Sequence, residues 1–166
     1  MNTPILPGTP LPQLGGSLGA YIAYPDGSTH ALIVADKAHI FVTPWGPARS
    51  VKGATGIDGL ASTQAMAKAG SKAAQRVLAL RIDGHADFYI PSRLELLAVQ
   101  QMARQLLPET GWGWTSTQDV ASCAWYCLFS DGDQYHGHKS YEGSAVAVRR
   151  LTLGSFNSLV CEGGAA

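Results

Sequence analysis

Apolar residues fall in short alternating or continuous blocks toward both ends of the chain and at helical spacing in its middle. Ala20-Tyr21-Ile22-Ala23-Tyr24 and Ala31-Leu32-Ile33-Val34-Ala35 are two such blocks, separated by Pro25-Asp26-Gly27-Ser28, and they predict a hairpin whose turn chemistry comes from the proline and the glycine. Ile40-Phe41-Val42 predicts a further short strand, which Trp45-Gly46-Pro47 breaks. Val51 to Gly59 is Gly-rich and predicts a loop. Met66, Ala69, Ala73 and Val77 then recur with the period of a helix, predicting one from near Ser62 or Thr63 to around Leu80. Gly70 and the alanines give it a smooth packing face, and Lys68, Lys72 and Arg76 lie along a solvated outer face.

The stretch Asp87-Phe88-Tyr89-Ile90-Pro91-Ser92-Arg93-Leu94-Glu95-Leu96 carries the strongest local signal. An aromatic extended segment meets a proline and then a capping box, in which Ser92 accepts from the backbone three residues on and Glu95 reaches back to the Ser92 N–H. A helix follows, with Leu94, Leu97 and Ala98 on one apolar stripe and Leu96, Val99, Met102, Ala103 and Leu106 beside it, until Pro108. In the last third, Gly111 to Thr117, Ala124 to Gly132 and Ser144 to Leu151 predict three strands of a small antiparallel sheet. Trp114, Trp125 and Phe129 are its expected core anchors.

The ends differ from the middle. Pro4, Pro7, Pro10 and Pro12 bar a helix and predict an extended arm over residues 1–13, either disordered or laid as a strap on a neighbouring subunit. Residues 14–153 make the domain, and 154–166 a Gly-rich tail.

Composition narrows the function. At 166 residues and 46% hydrophobic the chain can bury a sizeable core, and with only 14% charged residues summing to zero net charge it has no basic field for nucleic acid or an anionic membrane. No stretch has the apolar length of a membrane span or the layout of a secretion signal, so a soluble chain is expected. Cys123 and Cys127 stand i, i+4 on an expected strand, roughly 13 Å apart, too far to pair with each other, and the three cysteines fit buried thiols better than a redox or metal role. No nucleophile elbow or His-Glu-x-x-His motif occurs and the carboxylates are scattered, so no enzyme and no cofactor are expected.

Taken in order, Gly56-Ile57-Asp58-Gly59-Leu60, Asp83 to Leu96, Trp114-Thr115-Ser116-Thr117, Ala124-Trp125, Phe129-Ser130-Asp131-Gly132 and Val148-Arg149-Arg150 resemble the Lcl C-terminal-type domain, over roughly residues 14 to 151. That family is similar in fold to C-type lectins and to the formylglycine-generating enzyme, and its members are frequent in bacteriophage tails and prophages. The resemblance implies a C-type-lectin-like α+β domain with two helices packed against small antiparallel sheets. It carries over no catalytic residue, because Cys123 and Cys127 do not match the copper-binding cysteine pair. The Glu-Pro-Asn and Gln-Pro-Asp tripeptides of calcium-dependent sugar sites are missing too.

The resemblance places variable contact residues between the Trp112 turn and the last strand. The segment holds Gln118, Asp119, Asp131, Gln134, Lys139 and Glu142, and the candidate ligand-binding residues are Trp112, Tyr126, Asp133, Tyr135, His136, His138 and Tyr141. Aromatic rings among short polar groups suit sugar stacking or protein recognition, and equally an ordinary solvated loop. His136-Gly137-His138 on a strand would bring six imidazoles together around a threefold axis, an octahedral set for a transition metal, although no metal is expected of the chain. Two function classes stay open. One is a phage tail-fibre or tail-tip protein, a homotrimer binding a bacterial surface glycan or protein receptor. The other is a structural baseplate or fibre-adaptor protein whose loops contact other virion proteins. In both, the proline arm anchors to other phage tail proteins, the chain is assembled in the host cytoplasm and resides in the virion, and neither nucleic acid nor membrane insertion is involved.

Overall fold

The computed structural model describes residues 4–162. The chain folds as α+β, with β1 (Pro10–Leu11), β2 (Gly16–Ala23), β3 (Thr29–Val34), β4 (Phe41–Thr43), α1 (Gly59–Lys68), α2 (Lys72–Leu78), α3 (Arg93–Met102), β5 (Trp112–Val120), β6 (Cys123–Leu128), β7 (Gln134–His138), β8 (Gly143–Ala145), β9 (Val148–Thr152) and α4 (Leu153–Glu162). A four-stranded antiparallel sheet runs β1-β2-β3-β9. A five-stranded mixed sheet runs β4-β8-β5-β6-β7, its one parallel pairing joining Gly113 of β5 to Ser144 of β8.

The expected hairpin is β2–β3, closed by the Tyr24 N–H on Ser28 O at 2.9 Å. The expected single helix over 62–80 is two helices. Gly70, at a φ of +101°, takes the left-handed position that ends α1, and Ser71 caps α2 by accepting from Ala74 N while its hydroxyl donates to Trp45 O. With α3 and α4 this makes four helices among the described residues, where the resemblance implied two. Residues 154–161, expected as tail, are helical, because Phe156 drops into an apolar pocket formed by Leu11, Leu14, Leu18 and Ile33 on the outer face of the four-stranded sheet. The last residues of the expected tail, 163–166, lie outside the described part of the chain.

The proline arm, from residue 4 onward, lies on its own domain. The Gly8 N–H donates to Leu18 O, the Leu18 N–H to Thr9 O, and Tyr21 Oη to Ile5 O at 2.9 Å, so the prolines occupy an edge where no ladder donor is needed.

The capping box of α3 forms as the sequence dictates: Ser92 Oγ accepts from Glu95 N, and the Ser92 N–H reaches Glu95 Oε2 at 2.8 Å. The buried stripe is displaced from the expected one. Glu95, Leu96, Val99, Gln100 and Ala103 face inward, whereas Leu94, Leu97 and Met102 are each more than a third exposed. The three expected strands of the last third are five, and the last of them, β9, leaves its neighbours to pair with β3 in the other sheet. Trp114 and Phe129 are fully buried anchors; Trp125 is only half-buried, its ring covered by the Arg93 guanidinium at 3.7 Å. One core, with Trp45, Met66, Val77, Phe88 and Trp114, fills the space between α1, α2 and the five-stranded sheet, and a second, with Leu32, Tyr89, Leu96, Val99, Phe129 and Val148, lies under α3.

Candidate functional site

Residues directly opposite in an antiparallel ladder project to the same face. Register therefore decides which of the candidate residues meet. Trp114 stands opposite Tyr126 and Tyr126 opposite Tyr135, so these rings share one face of the five-stranded sheet. Trp112 joins them, 4.6 Å from Tyr126 between ring centroids, and Tyr135 lies 6.1 Å from Tyr126 on the other side. Gly137 leaves the gap that Tyr141 fills: a Cβ there would lie 3.2 Å from the Tyr126 ring and 3.3 Å from that of Tyr141. The result is an aromatic strip across β5, β6 and β7. It is anchored at Trp112 and Tyr126, both half-buried, and increasingly open at Tyr135 and Tyr141, which are 48% and 58% exposed.

Asp133 sits at the end of the strip in the β6–β7 turn. It accepts from Tyr135 Oη at 3.4 Å, and its charge raises the Tyr135 pKa, so the phenol stays protonated and available as a donor. The strip is a ridged surface, not a cavity, and offers π faces with one carboxylate at the rim. That combination suits stacking of flat or C–H-rich ligand faces.

His136 is on the opposite face. It pairs with Trp125 across the ladder at 5.5 Å between centroids, and its Nδ1 lies 2.6 Å from Asp119 Oδ2. His138 is engaged separately, Nδ1 against Ser140 Oγ at 2.7 Å and its ring 6.0 Å from Tyr141. Each histidine thus has its Nδ1 engaged within its own chain, and among the described residues no group of three or more His, Cys, Asp and Glu side chains is placed to hold a metal. Cys127 is buried, and burial pushes its thiol up to about 11. Two residues of the broader contact segment are interior: Gln118 is buried, and Lys139 is fully buried with Nζ donating to Gln118 Oε1 and Arg49 O above the Trp45 ring.

Sequence reasoning missed two further features. A cleft of about 320 Å³ opens between α3 and the loop before α1, lined by Ile57, Arg93, Leu94, Leu97, Thr117 and Gln134; Arg93 is fixed there by a reciprocal pair of hydrogen bonds with Gln134. The second is a polar cluster under the β2–β3 turn. Glu95, fully buried, accepts from Tyr24 Oη, Tyr89 Oη and the Ser92 N–H, and Arg150 bridges it to Asp58. Burial raises the Glu95 pKa against the pull of those donors and of Arg150. Glu95 thus caps its helix and also ties α3 to the end of β2 through Tyr24 and to β9 through Arg150. Its spacing from Ser92 signals only the first role.

Among the described residues no helix is long and apolar enough to cross a membrane. No protein-family model matches the chain, and no curated protein matches it significantly in sequence.

Proposed function

We propose that this protein is a non-enzymatic receptor-binding component of a bacteriophage tail, built on a C-type-lectin-like scaffold of the Lcl C-terminal type and acting as a homotrimer on a bacterial surface glycan or protein. The observation that carries the reading is the aromatic strip Trp112–Tyr126–Tyr135–Tyr141, rigid at its sheet-anchored end and open at the other. Rings held by a ladder offer contact area at small entropic cost, which is what a receptor-binding surface requires. The ordered motifs between Gly56 and Arg150 support the scaffold assignment.

The test is adsorption of the purified chain to host cells and to an array of bacterial surface polysaccharides, with Tyr135→Ala and Tyr141→Ala as variants. Binding that the two substitutions abolish supports the reading; binding indifferent to both overturns it.

A second reading, a baseplate or fibre-adaptor protein, is favoured by the exposed Ile57, Leu94 and Leu97 around the α3 cleft, an apolar surface fit for another virion protein. Labelling of intact particles separates the two. A strip accessible at the distal tail tip belongs to a receptor binder, and a strip covered by a different tail protein belongs to an adaptor.

A further inference from the structure

The cleft of about 320 Å³ between α3 and the loop before α1 has the size of a small-ligand site, and Arg93 is the one charged residue in its lining. Three exposed apolar side chains, Ile57, Leu94 and Leu97, stand around that charge. Three hydrogen bonds hold Arg93 in place. Its backbone N–H donates to Thr117 Oγ1 at 3.2 Å, its carbonyl accepts from Gln134 Nε2 at 2.9 Å, and its Nε donates to Gln134 Oε1 at 3.0 Å. One face of the guanidinium rests on the Trp125 ring at 3.7 Å.

These contacts fix the fork without using its tips. Nη1 and Nη2 donate to no described residue, no carboxylate of the described residues lies at ion-pair distance from them, and neither nitrogen is hidden from solvent. The carboxylates of the surrounding elements are turned to other partners, Asp58 and Glu95 to Arg150, Asp119 to His136 and Asp133 to Tyr135. The cleft is therefore left with a positive charge and a planar pair of donors, already ordered and unanswered. An ammonium is repelled, and a neutral amide leaves the charge unbalanced. A carboxylate brings one negative charge in a plane that matches the fork, whereas a phosphate monoester brings about 1.5 to 2 negative charges against a single cation.

We propose that this cleft binds a carboxylate borne on a short aliphatic body, the carboxylate seated on Arg93 Nη1 and Nη2 and the body lying against Ile57, Leu94 and Leu97. No residue of the cleft belongs to the aromatic strip, so the assignment is independent of the receptor-binding reading. A free branched-chain acid and the C-terminal end of a polypeptide that finishes in an aliphatic residue share this chemistry.

The experiment titrates the full chain with 4-methylpentanoate, 4-methylpentanamide and 4-methylpentylamine, which share one body and differ in their head, followed by calorimetry and by the Arg93 Nε–H and Trp125 indole N–H resonances. The acid binds, the amide binds at least roughly tenfold more weakly and the amine does not bind. Glucuronate, a carboxylate on a hydroxylated body, binds at least roughly fivefold more weakly than the acid. Arg93→Gln weakens the acid at least roughly tenfold, and Arg93→Lys, which keeps the charge and loses the fork, at least roughly threefold. Lys72→Gln, which removes an exposed cation elsewhere, leaves the affinity unchanged. Should the Arg93 variants fail to fold, the comparison of acid with amide on the wild type decides alone. N-acetyl-leucine identifies the source: affinity equal to that of the acid or tighter assigns a polypeptide C-terminus, and weaker affinity a free acid. Equal affinity for acid and amide, glucuronate binding as tightly as the acid, acid binding unaltered by Arg93→Gln, or no acid binding at about 10 mM overturns the proposal.

Discussion

Arg149 closes on Asp87 through two parallel bonds, Nε to Oδ1 at 2.6 Å and Nη2 to Oδ2 at 3.0 Å, while its Nη1 donates to Leu14 O at 3.0 Å. One side chain of β9 thus ties the segment entering α3 to the turn that precedes β2. The Arg149 side chain is buried and that of Asp87 half-exposed, so the two halves of the pair are not equivalent. Asp87→Asn is expected to cost about 1 kcal/mol, since water and the remaining amide oxygen replace much of what is lost. Arg149→Ala should cost about 3 kcal/mol, because it strips packing and leaves Leu14 O buried without its donor. Urea denaturation of the two variants measures the asymmetry, and equal costs would contradict it.

Gly59 is the first residue of α1, where alanine would ordinarily be neutral or favourable. Here a Cβ would lie 2.1 Å from Glu95 Oε2, 2.7 Å from Ser92 N and 2.8 Å from the Tyr89 ring, all parts of one buried network. Gly59→Ala is expected to destabilise by about 2 kcal/mol or more, reversing the sign given by helix propensity. Thermal unfolding checks it, and an unchanged or raised Tm would show that the Glu95 cluster yields easily.

Lys139 is a buried cation with no carboxylate at ion-pair distance among the described residues; carbonyl oxygens and the Trp45 ring are its company. Burial lowers its pKa from the ordinary 10.5 to about 8. The folded chain therefore gives up this proton before the unfolded chain does. Between those two values the unfolded state binds more protons, and the contribution of Lys139 to stability rises with pH. The unfolding free energy of the wild type minus that of Lys139→Met should increase from pH 8 to pH 10, a subtraction that cancels the tyrosines and Cys127. A difference that stays level or falls across that range would contradict this account of the site.

Tyr135 and Tyr141 project from the open end of the strip and support little of the core. Tyr135→Ala and Tyr141→Ala are each expected to change stability by no more than about 0.5 kcal/mol and to weaken receptor binding by roughly tenfold or more. Denaturation and cell adsorption, measured on the same preparations, give both numbers. A large stability loss would make the strip a structural element.

What could be read along the chain was local. The α3 capping box needs only Ser92 and Glu95 three residues apart, and it formed as expected. The break between α1 and α2 was written in Gly70-Ser71, a C-terminal glycine followed by an N-cap, but the small apolar residues on either side masked it. The α3 stripe was misplaced because Glu95 and Gln100 are polar by type yet face inward, Glu95 to meet Tyr24 and Tyr89, and Gln100 to donate to Phe129 O. The separation of His136 from Tyr135 was also available, since neighbours on a strand face opposite ways. The placement of β9 beside β3 was not, nor was the burial of Lys139. Both depend on partners far off in the chain, Arg49 for Lys139 and His30 to Val34 for β9.

The pairing of β8 with β4 and of β9 with β3 has a consequence for biosynthesis. Each sheet waits for residues 143–152, which leave the ribosome a hundred residues or more after β3 and β4, the strands whose edges they fill. The hairpin and the capped helices can take shape while translation continues, but neither sheet can be finished in that time. Long-range closure of this kind makes folding slow and leaves β3 and β4 with unfilled edges on the nascent chain, so a burst of synthesis exposes the protein to aggregation at the one moment when its final strands are still to come.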